Sequence, residues 1–590
     1  MDRKGIIAIA LAIVTLVGWT IYNQRQIEKA RAAHRVAVAE AEKAKPAAPT
    51  ATPAPAAMPA APAIPAVVEA APAVEEKTET LSNGKVDYTF SNLGGGIARA
   101  LLRTHEAERG QKMVINEFGA TPIGAVTEVP GEGAKAAFTV QRDEAGAVTF
   151  ERSDARGLQL VKKFTIGKGG KDGDDEYTTR LEVTFTNRGT QPIAIPAYFV
   201  HTGAAAPVHQ SDQPLYTGFK ADKDKFVNVT WFSAGGFLAW SHPERLVFTK
   251  SQANLGWLGV TNQYFTTLVS PIATAQDSAT RAKQLGSAVW AKRFDVPEEA
   301  WKESGRSIDS KNAPRHAIEG ALGMPGLSLE PGKTYSQSFV LYAGPREYSR
   351  LKRLPGDEQD IMDFGIFGIV SRTLLNTMNW LHARFGSYAW AIVVLTLCIK
   401  TLLWPLQNKA TQSMKKMGAL QPKMTELREK YPDDPQRMNT EIMKLYKDYG
   451  INPLSGCLPM FVQIPIFFGF YNMLGKAVEL RNSKFLWVQD LSQPDTVYHL
   501  GSIPLNVLPL VMAATMFWQM AISPKSGDAT QQKVFMFMPL IFIFFCYNFA
   551  SALALYWTVQ NLFSVVQLYA TRNQAAPQLV KVAAPRAKKK

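Results

Sequence analysis

Cysteine is scarce in this sequence, since the 590 residues include only three. Three cysteines cannot build a disulfide framework, which excludes the small disulfide-stabilised classes of secreted protein. All three, Cys398, Cys457 and Cys546, lie in or beside apolar runs, and the polar half of the chain has none. That half can therefore lie in an oxidising compartment without forming wrong disulfides.

Charged residues are also few, at 19% of the chain, and their distribution is uneven. Residues 23–360 are polar and rich in turn-forming residues, whereas residues 385–570 are dominated by apolar runs. The 36 prolines and 42 glycines exclude an all-helical rod. The composition predicts a membrane protein with a large soluble domain.

Apolar runs of about the 20 residues that cross a bilayer occur near both ends of the chain. Residues 1–22 contain a run that follows Arg3 and Lys4, with no small-x-small cleavage site after it. They are predicted to be an uncleaved membrane anchor rather than a signal peptide. A five-span helical core is predicted at 388–570, with spans at 388–406, 457–475, 503–522, 534–550 and 551–570.

The distribution of charge predicts the orientation of these spans. The loop 407–456 has nine Lys/Arg against six Asp/Glu, and the tail 571–590 has six basic residues and no acidic one. The loop 475–502 has three residues of each sign. Because positively charged loops remain in the cytoplasm, both termini are predicted to be cytoplasmic and residues 23–387 to be periplasmic.

The polar half is predicted to contain a linker and one β domain. The linker, residues 23–77, is rich in alanine and proline, which cannot bury a core. In residues 78–345 the period-2 alternation of strands recurs and predicts a single large antiparallel β-sandwich. His201 and His209 flank a loop there, but no motif for a metal, a nucleophile or a phosphate accompanies them. No catalytic residue, metal or cofactor is therefore predicted.

Residues 346–387 are predicted to be a connector that ends in an amphipathic helix. In residues 364–385 the apolar side chains recur at helical spacing, opposite Arg372, Asn376 and His382. This segment is too polar to span a membrane. It is interpreted as a helix along the outer membrane surface, and the alternative is a helix packed on the sandwich.

Lys400 interrupts the apolar run of the second span. A charge at this depth costs roughly 2.5–3.5 kcal/mol and usually has a function. The alternative is that the long side chain reaches the cytoplasmic headgroups. Thr396 lies one turn earlier on the same helix face, which favours a polar groove.

The last span carries a polar stripe. Its members recur at helical spacing and are Tyr556, Gln560, Ser564 and Gln567, widened by Trp557 and Asn561. Gln463 and Gln519 add amides in the third and fourth spans. The alternative is interhelical hydrogen bonding that holds the bundle together. Because the second to sixth spans contain no carboxylate, the stripe and Lys400 favour a wet, positively charged groove over a cation pathway.

The cytoplasmic loop 407–456 is predicted to be a helical hairpin, with helices at 409–430 and 436–449. Many of its apolar positions are methionines, namely Met414, Met417, Met424, Met438 and Met443. Such residues either form an adaptable surface for apolar partners or pack the two helices together.

Several motifs together resemble the YidC family of membrane protein insertases, which is related to mitochondrial Oxa-type and thylakoid Alb-type proteins. They include Ile399-Lys400-Thr401-Leu402-Leu403-Trp404-Pro405-Leu406, Asn452-Pro453-Leu454-Ser455-Gly456-Cys457-Leu458-Pro459 and Leu553-Ala554-Leu555-Tyr556-Trp557-Thr558-Val559-Gln560-Asn561-Leu562. The predicted spans and outer β domain are similar to the Gram-negative form, whose periplasmic domain is a super-sandwich.

The resemblance implies an inner-membrane insertase and chaperone, not an enzyme. It would receive nascent hydrophobic segments in a hydrophilic groove, alone or with the Sec translocon, and release them laterally into the lipid bilayer. The groove charge of the family, usually an arginine, falls on Lys400, and client contacts fall on Thr396, Tyr556 and Trp557. Lysine cannot form the bidentate contacts of arginine. No small-molecule substrate is implied.

The hairpin and the basic tail are implied contacts for the ribosome, whose RNA attracts positive charge. The basic residues of the tail are Arg572, Lys581, Arg586, Lys588, Lys589 and Lys590. The alternative for the tail is binding to anionic lipid headgroups.

A different class of protein also fits the composition, namely a small-solute transporter or channel with a sugar-sensing outer domain. It predicts solute flux through the helices. The lack of intramembrane carboxylates and of an internal repeat argues against it.

Overall fold

The structure, a computed structural model, describes most of the chain between residues 75 and 572. The described residues are 75–131, 135–144, 146–169, 175–209, 212, 215–221, 225–230, 245–307, 315–452, 458–500, 503–523 and 539–572. The predicted anchor, nearly all of the predicted linker and the tail from residue 573 lie outside the described residues, as do Lys581, Arg586 and Lys588–Lys590.

Strands occupy the polar half of the chain, and one further hairpin lies in the helical half. In chain order they are β1 Thr78–Ser82, β2 Val86–Ser91, β3 Gly96–Glu106, β4 Lys112–Ile115, β5 Val126–Thr127, β6 Thr139–Arg142, β7 Val148–Ser153, β8 Leu158–Ile166, β9 Thr178–Asn187, β10 Ile193–Ile195, β11 Tyr198–Ala205, β12 Tyr216–Ala221, β13 Val227–Val229, β14 Val247–Thr261, β15 Phe265–Pro271, β16 Gly286–Asp295, β17 His316–Met324, β18 Leu327–Leu329, β19 Thr334–Pro345, β20 Thr496–Leu500 and β21 Ile503–Asn506.

The largest sheet of the β domain folds back on itself. Within the described residues it has 13 strands in the order β5-β11-β17-β16-β14-β15-β19-β9-β8-β7-β6, with β12 and β13 attached beside β14. Five strands separate β11 from β9, yet the rings of Tyr198 and Phe185 on these strands are 5.1 Å apart. A flat sheet would hold them about 29 Å apart, so the sheet closes into two facing layers.

A four-stranded sheet, β1–β4, packs on one end of the large sheet. Phe90 of β2 lies 5.4 Å from the ring of Phe164 and 6.2 Å from that of Phe150, and all three side chains are buried. Burial of each such side chain contributes about 1.5–3 kcal/mol. The prediction of a large antiparallel β domain in the polar half is confirmed.

Two short helices interrupt the succession of strands, Ser278–Gln284 and Glu298–Glu303. The first begins after Asp277, whose side chain accepts a hydrogen bond from the backbone N–H of Thr280 at 2.8 Å. The prediction of an all-β domain is wrong in this detail. Helices of seven and six residues are too short to leave a periodic apolar pattern in the sequence.

The helical half follows the β domain in the chain. A single turn at Tyr348–Leu351 and a 3₁₀ helix at Glu358–Met362 precede it. The helices are Gly368–Phe385 (the surface helix), Tyr388–Ala419 (the long helix), Gln421–Lys430, Pro435–Asp448, Leu458–Leu474 (the central helix), the 3₁₀ turn Val478–Leu480, Val507–Ile522, residues 539–546 and Ser551–Arg572 (the terminal helix).

The long helix continues from the predicted span into the predicted hairpin. Its 32 residues include Pro405, and it ends before Leu420. Pro422, at the start of the next helix, has no backbone N–H to continue the hydrogen-bond ladder. The prediction of one hairpin helix at 409–430 is therefore wrong, because the end of the long helix and the separate helix Gln421–Lys430 share that range.

By length and composition, the long helix is the one described helix that can cross a membrane, while Phe461–Leu474 and Val507–Ile522 are apolar but shorter. The segment predicted as a span at 503–522 begins with strand β21 instead of helix. The helix starts at Val507 because the Asp495 carboxylate accepts a hydrogen bond from the backbone N–H of Leu508 at 2.6 Å.

The surface helix packs on the central helix at a close contact. Ser371 Oγ donates a hydrogen bond to the backbone oxygen of Gly469 at 3.1 Å. A Cβ atom on Gly469 would lie 2.7 Å from Val370 Cγ1, so only glycine allows this approach. Ile369 and Trp380 remain exposed on the same helix. The helix therefore buries one face in the helical half and exposes apolar side chains on another.

Candidate functional site

Polar side chains from three helices meet along one face of the terminal helix. Gln463 Nε2 of the central helix donates hydrogen bonds to the Tyr556 hydroxyl at 3.1 Å and to Gln560 Oε1 at 3.0 Å. Lys400 Nζ of the long helix donates to Ser564 Oγ at 3.3 Å. The structure thus brings together five of the predicted site residues, which we call the polar row.

The spacing of residues on the terminal helix produces this row. Tyr556, Gln560 and Ser564 are four residues apart, so each lies about 6 Å along the axis from the next, on the same face. Ser564 Oγ donates to the backbone oxygen of Gln560 at 2.9 Å. Its lone pairs are therefore free to accept the hydrogen bond from Lys400.

The positive charge of Lys400 has few partners in its surroundings. Its side chain is partly buried, and within the described residues no carboxylate forms an ion pair with it. An ammonium group has three N–H donors, and the bond to Ser564 uses one of them. The remaining donors can bind an acidic or polar group that enters beside the row.

Thr396 and Trp557 lie near the row but are not members of it. Thr396 is buried, and its hydroxyl donates to the backbone oxygen of Ile392 at 2.7 Å, within its own helix. Trp557 packs between aromatic rings, 4.9 Å from Phe467 and 4.6 Å from Phe542. The roles of both residues in client contact stay predictions.

The other predicted polar residues lie elsewhere. Within the described residues, no hydrogen bond joins the Gln519 side chain to the polar row. Asn561 is buried and donates to Thr515 Oγ1 at 3.2 Å, so it joins two helices. This contact is of the kind expected from the alternative of interhelical hydrogen bonding. Gln567 Nε2 lies 3.5 Å from the backbone oxygen of Trp404, at the contact with the long helix.

An aromatic wall beside the row is missing from the sequence-based prediction. Phe470 is buried and stacks on Tyr556, with ring centroids 4.0 Å apart. Phe467 and Phe470 follow Gln463 at helical spacing of four and seven residues, so they share its face. That spacing is the sequence signal that could have identified them.

The methionines of the cytoplasmic hairpin have two roles. Met417 and Met424 pack in a small core with Leu420 and Tyr446, and the Tyr446 hydroxyl lies 3.3 Å from Met424 Sδ. Met443 is exposed. Met414 and Met438 are partly buried. The methionines thus both pack the hairpin and leave an apolar side chain on its surface.

The two histidines of the β domain are held by different partners. His201 Nε2 shares a hydrogen bond with Thr127 Oγ1 at 2.9 Å, and burial lowers the pKa of His201 to about 3. His209 Nδ1 contacts Glu108 Oε1 at 2.6 Å. Each contact joins separate parts of the β domain.

The fold and the site together indicate the class of protein. The chain joins a large antiparallel β domain to apolar helices with a polar row between them, as expected for a membrane protein with a β domain outside the membrane. Two family models match consecutive parts of the chain. The model described as "60Kd inner membrane protein" matches residues 380–578, and the model described as "YidC periplasmic domain" matches residues 79–377.

Full-length relatives agree with both matches. The chain is 31% identical over 509 residues to membrane protein insertase YidC of Janthinobacterium sp. (strain Marseille), covering 83% of each protein. It is 32% identical over 529 residues to that of Bordetella avium (strain 197N), covering 87% of this chain and 86% of the relative. The chain belongs to the YidC family of membrane protein insertases.

Solved structures give weaker likenesses. A crystal structure of active YidC insertase, with its first transmembrane domain resolved, covers 85% of this chain and 94% of its own at 17% identity and a TM-score of 0.34. A putative aldose 1-epimerase from Escherichia coli K12 covers 46% of this chain and 99% of its own at 12% identity and a TM-score of 0.27. With TM-scores this low, neither likeness supports a conclusion.

Family membership settles several expectations. The chain is an inner-membrane insertase with a periplasmic β domain, and it is not an enzyme. The resemblance drawn from the sequence motifs is confirmed. The transporter interpretation is set aside.

Proposed function

We propose that the chain inserts nascent membrane proteins by holding the polar flank of a client against the polar row while the client's apolar segment passes into lipid. Family membership supports the activity. The observation that carries the mechanism is the convergence of Lys400, Gln463 and Ser564 from three helices, with Lys400 bound to a neutral hydroxyl.

The polar row would lower the free energy of moving a polar segment partway across the bilayer. An unsatisfied backbone group in hydrocarbon costs several kcal/mol. The amides of Gln463 and Gln560 and the hydroxyl of Ser564 offer donors and acceptors in place of water. Burial of the client's apolar segment, at about 0.8 kcal/mol per CH₂ group, then completes the insertion.

Lys400 gives this path a preference for negative charge. Among the described residues no carboxylate pairs with Lys400, so an acidic client side chain gains both attraction and hydrogen bonds from its ammonium group. The packed rings of Phe467, Phe542 and Trp557, which are only partly buried, offer an apolar surface for the client's hydrophobic segment. Thr396 and Trp557 are proposed as further client contacts.

The topology and the partners belong to the same proposal. Six spans with both termini in the cytoplasm agree with the charge distribution of the loops. The hairpin and the basic tail would then face the ribosome, and the Sec translocon would be a partner for larger clients. Lys415 Nζ, which donates to the backbone oxygen of Thr571 at 2.8 Å, ties the long helix to the start of that tail.

The test is Lys400→Ala in liposomes that contain only the purified protein. Two single-span clients that differ only in an acidic or a neutral translocated tail are inserted, and protease protection is measured over time. We expect the variant to slow the acidic client by about tenfold or more, because a charge-assisted hydrogen bond contributes about 1.5–3 kcal/mol. The neutral client should slow much less.

Lys400→Arg is the matched control, because it keeps the charge. It should insert both clients at nearly the wild-type rate if positive potential is what the client needs. Equal slowing of both clients by Lys400→Ala would refute the electrostatic part of the proposal.

A further inference from the structure

The loop between the central helix and β20 carries an exposed apolar turn with an unusual backbone. Phe485 and Val488 exchange two backbone hydrogen bonds of 2.9 and 2.8 Å, which close a two-residue turn. Leu486 in this turn has a φ of 53° and is 74% exposed, and Trp487 is 40% exposed. The left-handed backbone region is unfavourable for leucine, and water is unfavourable for its side chain. We call residues Phe485–Val488 the apolar turn.

The loop around the apolar turn is bonded to the β domain. Arg481 Nη2 donates to the backbone oxygen of Glu106 at 2.8 Å, and its guanidinium lies 4.8 Å from the ring of Tyr264. The Tyr264 hydroxyl donates to the backbone oxygen of Ser492 at 3.2 Å. The β domain therefore holds the loop on both sides of the apolar turn. Residues 476–495 are called the outer bracket below.

The outer bracket is also bonded to the beginning of the terminal helix. Ser551 Oγ donates a hydrogen bond to the backbone oxygen of Asp490 at 3.0 Å. The backbone N–H of Ala552 donates to the backbone oxygen of Leu491 at 2.9 Å. The bracket thus joins the periplasmic domain to the helical half. Because its β-domain partners are periplasmic, the bracket lies on the periplasmic side of the membrane.

The apolar turn lies level with the outer end of a membrane-crossing helix. The ring of Phe485 is 5.9 Å from that of Trp390, which is exposed and is the third residue of the long helix. Tryptophan is typical of the membrane–water interface. Lys484 is exposed directly before the turn, where an ammonium group can meet a lipid phosphate.

The side chain of Trp487 can enter an apolar environment without losing a hydrogen bond to water. Its Nε1–H donates to Asp495 Oδ2 at 3.0 Å, so its one polar group is satisfied by the protein. The exposed part of its ring therefore needs no water. Phospholipid fits both the apolar turn and the adjacent lysine.

We propose that the apolar turn is a lipid anchor. Leu486 and Trp487 are inserted into the outer leaflet, Lys484 contacts a lipid phosphate, and the outer bracket thereby fixes the β domain at one height above the membrane. This inference depends on the membrane location of the chain and not on the polar row, so the two can fail separately.

The depth of Leu486 tests the anchor directly. In a full-length variant with Cys398, Cys457 and Cys546 replaced by alanine, Leu486→Cys carries an NBD fluorophore in liposomes of phosphatidylcholine and phosphatidylglycerol. We expect lipid spin-labelled at acyl carbon 5 to quench this NBD at least about twofold more than aqueous iodide does. Val247→Cys in β14, an apolar residue 48% exposed, is the matched control and should show the reverse.

The result that overturns the anchor is an NBD group at position 486 that behaves like the one at position 247. Because these liposomes contain no other protein, that result would favour a protein partner for the apolar turn. A thermal melt of each labelled chain confirms that both are folded.

The height of the β domain tests the role of the outer bracket. Energy transfer is measured from a donor at Val247→Cys to acceptor lipids, with and without Leu486→Asp. We expect Leu486→Asp to lower the transfer, while Leu486→Gly, which relieves the left-handed backbone and keeps no charge, lowers it less. Val129→Asp, at an exposed residue of the β domain, should leave it unchanged. Unchanged transfer with a folded Leu486→Asp chain would refute the fixed height.

Discussion

Lys162 of the β domain and Lys400 of the helical half both lack an ion-pair partner among the described residues, yet their surroundings differ. Lys162 is fully buried, donates to the backbone oxygen of Gly94 at 2.6 Å and lies 4.4 Å from the ring of Phe138. Lys400 is partly buried and reaches one hydroxyl at 3.3 Å. Lys162 is therefore part of the core of the β domain, whereas Lys400 keeps N–H donors that can bind another group.

The same difference separates the two regions more widely. Arg346 of the β domain is buried, and its two Nη atoms donate to backbone oxygens of Asn262, Gln263, Ile361 and Met362 and to the Tyr216 hydroxyl. Such a network rigidifies a core. The polar row of the helical half instead joins neutral groups and one cation across three helices. A polar group therefore contributes to stability in one region and is proposed to serve clients in the other.

Lys162→Ala should give the largest loss of stability. Removing the side chain leaves a cavity and an unpaired Gly94 carbonyl, which together cost roughly 4 kcal/mol. The thermal melt of the full-length protein in detergent should show a lower transition for the β domain.

Lys163→Ala is the matched control for this loss. The Lys163 side chain is 48% exposed and pairs with Asp143 at 3.2 Å on the surface, so its removal should change stability by less than about 0.5 kcal/mol. Equal effects of the two substitutions would contradict a structural role for Lys162.

Glu479→Gln should have the next largest effect on stability, and this substitution should stabilise the protein at high pH. Glu479 lies at the contact between the outer bracket and the surface helix. Asn379 Nδ2 donates to Glu479 Oε1 at 3.3 Å, while Glu479 Oε2 and Asn379 Oδ1 are buried without partners among the described residues. A proton on Oε2 would pair these two atoms. Burial raises the pKa of Glu479 to about 7, with a further contribution from Glu347.

The sign of the pH effect follows from this pKa. The folded state keeps the proton up to about pH 7, whereas the unfolded state loses it at about pH 4.5. Stability is therefore lost as the pH rises from about 4.5 to 7 and is constant above that. Glu479→Gln should melt like the wild type near pH 5 and be more stable near pH 8 by about 2–3 kcal/mol. Parallel pH curves for the two proteins would contradict the protonated pair.

Gln463→Leu should have the smallest effect on stability and a visible one on activity. It removes the hydrogen bonds to Tyr556 and Gln560, each of which contributes about 1 kcal/mol net, and it replaces them with apolar contact. Insertion of a neutral-tailed client should slow by about fivefold, which corresponds to one such bond. Gln519→Leu, an amide outside the polar row, is the matched control and should insert normally. Equal slowing by both would refute the assignment of the row.

The sequence by itself determined which residues share a face. Spacing by four placed Tyr556, Gln560 and Ser564 together, and period-2 alternation indicated the β domain, because both patterns depend only on the local geometry of one element. The tertiary structure decided which faces meet. It brought Gln463 into the row and left Gln519 outside, and it buried the Thr396 hydroxyl within its own helix.

The same distinction explains the remaining differences. The end of the long helix before Leu420 and the start of the helix at Val507 depend on residues that the apolar pattern does not reveal, namely Pro422 and the capping carboxylate of Asp495. The outer bracket joins Arg481 to Glu106 across 375 positions of the chain. Periodicity carries no information about contacts at that separation, since they are set by the packing of complete domains.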